Sequence, residues 1–538
     1  MTTEPTPTPA PAGPVEQAPN PFAGIPASDL FRDALALLLL LVSLAMPWNS
    51  VASGIKHSTG HIEVILVTLL SVVSLSLTYL ARAKVFGPAV TPAQVGLIRA
   101  AANAPYAIVV AIYLVLDIAK LGDSWYSAGG IGYGAALGLT GAALAGMPRR
   151  IEADATSVGA LQAAIMRLAV PALAVLWVFL SFINFINVFA DWASVVGSVS
   201  STVALVISVL IVLIPLVMIT AGLIRRSAVA RTVTVAGGVV FLGAVIIDWF
   251  SDWKVSIAGV ESVHRPVFGV IAFITLGALA SSHLFRDSMR PMADVQRYVR
   301  SAGVLLLAQA GVVVAAAIIT VLAITSDAVN STGKAVGYLF ALVIIGAMAA
   351  LAFALVRTGE AATRLLALAL TTGTIVVGIV AVILAKSLSQ LGMVDLIYAF
   401  GLPIATLILL VAPTSMRAHF GSLITTVAAP AGTAVPPPDV ARFAATAVAP
   451  PVAAPVAPPA PPAPPAPPAP SAPASVHPRA AEAADPSTPL QSLFEIASNI
   501  PELRAAVAAN PSTYPDLLTW LGALGDPVID AALKARNA

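Results

Sequence analysis

The chain has 538 residues, 58% of them hydrophobic and 10% charged, with a mean hydropathy of +0.92. A soluble domain carries about 25% charge, so most of this chain has lipid as its solvent, and a net charge of +2 argues against electrostatic binding of nucleic acid. The absence of cysteine excludes disulfides, thiol catalysis and thiolate-held metals or clusters.

Residues 1–28 are rich in Pro, Thr and Ala, and no basic stretch precedes the first apolar run. Cleaved signal peptides need such a stretch, so the reading here is a disordered N-terminus followed by a retained first segment. A spanning helix takes about 20 mostly apolar residues. Twelve stretches meet that length between residues 29 and 417: 31–48, 62–81, 101–119, 128–147, 166–189, 199–224, 232–249, 266–285, 301–325, 335–356, 365–386 and 394–412. The first is short if Pro47 ends it, and the fourth is rich in glycine. The expected fold is therefore all-α, a polytopic membrane bundle of about twelve helices.

Basic residues in alternate loops orient such a bundle. Lys56, Lys120, Lys254, Arg265, Lys334 and Lys386 fall on one side, and seventeen others, from Arg32 to Arg417, on the opposite one. This places both termini in the cytoplasm of a multi-pass cell-membrane protein. An arginine also opens every odd-numbered stretch: Arg32, Arg99, Arg167, Arg231, Arg300 and Arg364, at spacings of 67, 68, 64, 69 and 64 residues. The unit of that rhythm is one helical hairpin. Either a regular up-down bundle or duplication of an ancestral hairpin produces it.

Chemistry inside a membrane usually announces itself as an ionisable residue at mid-depth. None stands there: Glu63, Asp117, Asp191, Asp248, Lys386 and Asp395 all fall at outer helix ends. Gln309 is the clearest central polar side chain, and an interhelical hydrogen bond is its expected role. Gly130, Gly134, Gly138 and Ala142 recur every four residues, which suits close packing of the fourth helix inside the bundle or, alternatively, a dimer interface. Pro105, Pro171, Pro215 and Pro403 lie within spans and are candidates for kinks.

The outer ends concentrate tryptophan beside carboxylate: Trp125, Asp191 with Trp192, and Asp248, Trp249, Asp252 and Trp253. Two readings stand. An aromatic belt anchors helices at headgroup level, or a rim of indoles and acids binds a sugar or a cationic headgroup. His57, His61 and Glu63 resemble a metal site in composition, but Gly60 between them removes any assured helical geometry. With no nucleotide, hydrolase or zinc motif, neither enzymatic activity nor a cofactor or metal is expected.

Residues 430–487 are dominated by Pro and Ala, with Ala-Pro-Pro units from Ala457 to Pro468. Such a run favours polyproline II and acts as a semi-rigid spacer that buries no core, so a disordered linker is expected. From Thr488 the sequence turns foldable. Thr488-Pro489-Leu490-Gln491 reads as a capping box, and Leu490, Leu493, Phe494 and Ala497 follow helical spacing. Pro501 opens a second helix. Thr513 and Asp516 precede Leu517, Leu518, Trp520, Leu521 and Leu524, and Asp526-Pro527 starts a last helix after Gly525.

The Ala-Asn-Pro of Ala509 to Pro511, the Leu-Leu-x-Trp-Leu of Leu517 to Leu521 and the Gly-Asp-Pro of Gly525 to Pro527 resemble the variant leucine-rich repeat family, in the form found at the ends of actinobacterial proteins. That resemblance covers residues 488–538 and implies a stack of short helices that binds another protein. Some relatives carry an iron–sulfur cluster, a role the lack of cysteine excludes here. The membrane region resembles uncharacterised polytopic proteins of high-GC Gram-positive bacteria. The functional expectation is an envelope protein that contacts the bilayer and recruits a cytoplasmic protein through its tail. The alternative is a transporter or flippase of an uncharged or lipid-linked substrate, regulated by the tail.

Overall fold

The computed structural model describes residues 25–51, 54–87, 90–119, 129–152, 157–196, 198–250, 260–265, 268–388, 392–420, 479–488, 490–522 and 526–536. The expected disordered N-terminus and most of the Pro-Ala linker lie outside these residues. Two compact units are present, one within residues 25–420 and one within residues 479–536.

The first unit is a helical bundle. Helix α1 (Ala27–Ala45) leads into a hairpin of β1 (Pro47–Val51) and β2 (Gly54–His57), then α2 (Ile62–Arg82) and α3 (Pro92–Ile118). Strand β3 (Ile131–Gly132) opens α4 (Tyr133–Gly146), followed by α5 (Ser157–Val196), α6 (Val199–Ile224) and α7 (Ala228–Phe250). Strand β4 (Val260–Glu261) precedes α8 (Val270–Ser281) and the short α9 (His283–Asp287). The remainder is α10 (Asp294–Thr325), α11 (Thr332–Thr358), α12 (Ala361–Ser387), α13 (Met393–Leu396), a π-turn at Ile397–Gly401, α14 (Leu402–Val411) and α15 (Thr414–Phe420). Caps fix several boundaries. Thr91 and Gln94 form a capping box around Pro92, and Gly359 ends α11 at φ 72°, a conformation that strains any residue with a Cβ.

Among the described residues nine helices are long and apolar enough to cross a membrane, and the protein is a multi-pass membrane protein. The first, fourth and eighth expected spans are also helical. However, α4 and α8, at 14 and 12 residues, reach only about 21 and 18 Å at a rise of about 1.5 Å per residue, against a hydrocarbon core of about 30 Å. Both helices are thus shorter than the apolar runs 128–147 and 266–285 that the sequence marks out. Both segments have the apolar composition of a span, rich in glycine and alanine in α4 and in large aliphatic residues in α8, while most of their residues are shielded by protein.

That shielding reveals the plan of the bundle. Eleven of the 14 residues of α4 and ten of the 12 of α8 are buried. The last span, Met393–Val411, is 56% buried, whereas the other eight long helices range from 22 to 39%. The enclosed helix is thus the fourth of each quartet: α1–α4, α5–α8, and α10–α14 with its broken last member. One arginine in each quartet holds the end of that helix. Arg99 Nη2 donates to the carbonyl of Met147 (2.5 Å), Arg231 Nη2 to Ser281 (3.4 Å) and Arg364 Nη2 to Leu410 (2.7 Å). These arginines open the third helix of each quartet and are 132 and 133 residues apart. The last carbonyls of a helix have no partner within it, and a cation there complements its dipole. Three tandem four-helix modules therefore underlie the hairpin rhythm.

Close approach explains the glycines. A Cβ on Gly138 would collide with the Tyr106 hydroxyl of α3, and Gly238 of α7 faces Gly277 of α8 backbone to backbone. Gly134, Gly138 and Ala142 are all buried, so the small-residue stripe packs inside the bundle. Gly138→Leu is expected to lower stability by more than about 3 kcal/mol, the upper end for an overpacked core, read as loss of the monodisperse peak on size exclusion after mild heating. Gly237→Ala on α7, where nothing lies near the added carbon, is expected to leave it unchanged.

Candidate functional site

At the arginine-poor end, the strands that precede the buried helices pair with one another, Ile131 with Glu261 and Gly132 with Val260. Glu261 then anchors α8. Its carboxylate accepts from the backbone N–H groups of Gly269 (2.6 Å), Val270 (3.0 Å) and Ile271 (2.8 Å), three donors that a helix start leaves open. Burial pushes the Glu261 carboxyl up to about 7, against the pull of those donors. Glu261→Ala strands them in a buried site and is expected to cost about 3 kcal/mol or more, visible as a lower melting temperature in detergent.

The following loop is stitched to two helices. Asp117, at the end of α3, accepts from Ser262 Oγ (2.8 Å) and the Val263 N–H (2.9 Å), while Asn184 of α5 donates to the carbonyls of Val263 (3.0 Å) and Arg265 (2.8 Å). Beside it, an aromatic group closes over α2 and α3. Tyr113 donates to Glu63 (2.6 Å), the His61 ring reaches Glu63 (3.2 Å) and Asn49 (3.1 Å), and Trp48 stands edge-on to Tyr113 at 5.4 Å. His57 turns instead to the Ala45 carbonyl (3.1 Å) and the Trp249 ring (6.0 Å). The structure thus separates the two histidines, and among the described residues no group of three His, Asp or Glu side chains is placed to hold a metal ion.

Of the seven rim residues, two are placed with their side chains. Tyr133 donates to Asp248 at 3.2 Å, and Trp249 packs on His57, so both are engaged by the protein itself. Asp191 and Trp192 lie on α5, but their side chains fall outside the described set, as do Trp125, Asp252 and Trp253 entirely.

The arginine-rich end holds a charge cluster that the sequence does not announce. Arg99 grips both oxygens of Glu152 at 2.8 Å, and Arg149 pairs with Asp33 (2.6 Å) and reaches Glu152 (3.3 Å). Thr78 donates to Glu152 (2.7 Å) and accepts from both arginines. All four charged residues are buried. The cluster joins α1, α2 and α3 to the turn after α4; its one sequence signal is a carboxylate three residues beyond Arg149, at the end of a glycine-rich run. In the third module, Gln309 donates to Thr374 (3.2 Å) and to the Tyr398 carbonyl (2.9 Å) in the π-turn, the expected interhelical role. Asp395 there accepts from Tyr338 (2.5 Å) and Tyr398 (2.9 Å).

The second unit is a stack of short helices, Ala480–Ala484, Leu490–Asn499, Arg504–Ala509, Pro515–Gly522 and Pro527–Arg536, with a 3-10 turn at Pro501–Leu503. Leu493, Ile496, Val507, Leu517, Leu521 and Ile529 close its core. Ala483 joins that core, so the folded region starts before Thr488, inside the stretch assigned to the linker by composition. The Asn-Pro motif acts through Asn510, whose amide donates to the carbonyls of Ala483 and Asp485 (2.9 Å each). Arg536 returns to the carbonyls of Pro511 (3.0 Å) and Thr513 (3.1 Å). Leu517 and Leu521 are core residues and Leu518 is half-buried, while the Trp520 side chain lies outside the described set. The helical spacing places Leu490 and Phe494 with the core, but they are 53% and 48% exposed, one turn apart on the same helix. Helical period marks a face as apolar without telling which neighbour covers it.

No curated protein and no solved structure matches the chain. Residues 477–537 match the Leucine Rich Repeat Variant domain, and the helix at Ala480–Ala484 falls within that match. Residues 29–419, which span the bundle from α1 to α15, match the domain of unknown function DUF7937, and the chain belongs to that family.

Proposed function

We propose that the protein is a membrane-anchored recruitment platform of the bacterial cell envelope, with no catalytic chemistry of its own. The bundle fixes the tail at the cytoplasmic face, and the tail captures a soluble protein there. The observation that carries this reading is the tail itself. It closes a core of its own yet leaves Leu490 and Phe494 in solvent, and neighbouring large apolar side chains left exposed on a soluble face mark interaction sites. The polar groups inside the bundle support the same reading. Glu261, Asp117, Glu152 and Asp395 are all held by protein donors in joints between segments.

A Leu490→Glu/Phe494→Glu variant tests it. Partner recovered by affinity purification of the full-length protein is expected to fall at least tenfold, to the level found after deletion of residues 430–538. Abundance in the membrane and the melting temperature of the bundle are expected to stay unchanged. Recovery equal to the original chain would refute the assignment of that face. The orientation is tested separately: a reporter fused after Met416 is expected to be active only if it functions in the cytoplasm.

A further inference from the structure

A groove of about 560 Å³ runs along the outside of the bundle between α7 and the broken span α13–α14. One wall is the face of α7 from Arg231 to Ile247, about 24 Å long at about 1.5 Å per residue, which exceeds the roughly 15 Å of one leaflet's hydrocarbon. The other wall carries Phe400, Ile404 and Ile408. Val239, Ile247, Ile404 and Ile408 are 45 to 63% exposed, so the groove opens sideways into lipid. Gly243 keeps it open, with no side chain and nothing within 4 Å of where its Cβ would stand, and the two walls meet where Gly401 of the π-turn packs against Val240. π-Turns inside helices frequently accompany functional sites.

The polarity of the groove is confined to its arginine-rich end, where Arg231, Arg297 and Tyr298 line it. Among the described residues the Arg231 side chain makes one long hydrogen bond, to the Ser281 carbonyl at 3.4 Å, and its buried Nε meets no partner. Arg297 lies 4.7 Å over the Tyr298 ring and shares Asp294 at 3.0 Å. Arg286 adds a third guanidinium to the charge around Arg231, and its own carboxylate partner is Asp287. Three guanidiniums against two carboxylates leave a cationic mouth on an apolar channel. Guanidinium forks match phosphate oxygens, and an unpaired donor at headgroup depth has strong cause to find one.

We propose that this groove binds an anionic phospholipid, one acyl chain along α7 and the phosphate between Arg231 and Arg297. The inference does not rest on the recruitment reading, because it concerns the bundle alone. The test is native mass spectrometry of the full-length protein released from detergent containing phosphatidylglycerol or phosphatidylcholine at equal concentration. Phosphatidylglycerol is expected to be retained at least fivefold better. Arg297→Gln is expected to remove that preference, bringing phosphatidylglycerol retention down to that of phosphatidylcholine. Arg231 is kept intact because it also holds the end of α8. Gly243→Leu, whose Cβ would meet nothing within 4 Å and whose side chain would occupy groove space, is expected to lower retention of both lipids about tenfold at an unchanged melting temperature. Equal retention of the two lipids by the original chain would overturn the proposal, as would wild-type retention in either variant.

Discussion

Replacing Glu152 with alanine is expected to be among the most damaging single changes in the bundle. Arg99 would lose both oxygens of its one ion-pair partner among the described residues, and Arg149 one of two, in a buried site. Breaking a buried pair by removing one member costs about 3–5 kcal/mol, because the remaining charge stays buried without compensation. The Arg99 guanidinium also holds the carbonyl of Met147, the residue that ends α4, so its displacement would loosen the enclosed helix of the first module. We expect Glu152→Ala to accumulate poorly in membranes and to aggregate on extraction. Glu152→Gln, which keeps an acceptor for Thr78 and one arginine, is expected to lie between the variant and the original chain. Thermal aggregation followed by size exclusion gives the order. Equal stability of all three proteins would mean that the cluster does not hold the module together.

A second large effect is expected in the tail, from Leu521→Asp. Leu521 is fully buried beside Leu517 and Ile529, and so small a unit has little stability in reserve. Burying an unpaired carboxylate there exceeds what the core supplies. Residues 477–538 expressed alone are expected to give a helical circular dichroism spectrum and a cooperative melt. The Leu521→Asp form is expected to give neither, while the same change in the full-length protein leaves the bundle's melting temperature where it was. A random-coil spectrum from the unmodified segment would contradict a self-standing module.

Much of the bundle is legible in the sequence because lipid imposes a direct rule, a run of about 20 apolar residues for each crossing. The same rule misjudges α4 and α8. Their composition is that of a span, and only packing against α3, α7 and the polar caps reveals that they are shorter and enclosed. The arginine rhythm was readable as a hairpin period, since Arg32, Arg99, Arg167, Arg231, Arg300 and Arg364 look alike in a string. Folding separates them. Arg167 and Arg300 are exposed, whereas Arg99 and Arg364 are buried and, with Arg231, grip the end of a helix. The charge cluster was barely legible for a related reason, because Asp33 and Arg99 come from segments distant from Arg149 and Glu152, and each reads as an ordinary helix-end residue. In the tail, the motif residues were legible as a family signature, but the role of Asn510 as a tie to Ala483 and Asp485 depends on a helix that composition assigned to the linker.

The recruitment account is tested most directly by placing a photo-crosslinking amino acid at Phe494 of the full-length protein in its native membranes. Irradiation is expected to yield a discrete adduct with a second polypeptide, and Leu490→Glu in the same chain is expected to abolish it. Crosslinks confined to the protein's own bundle, or none at all, would contradict the claim that the tail presents this face to a partner.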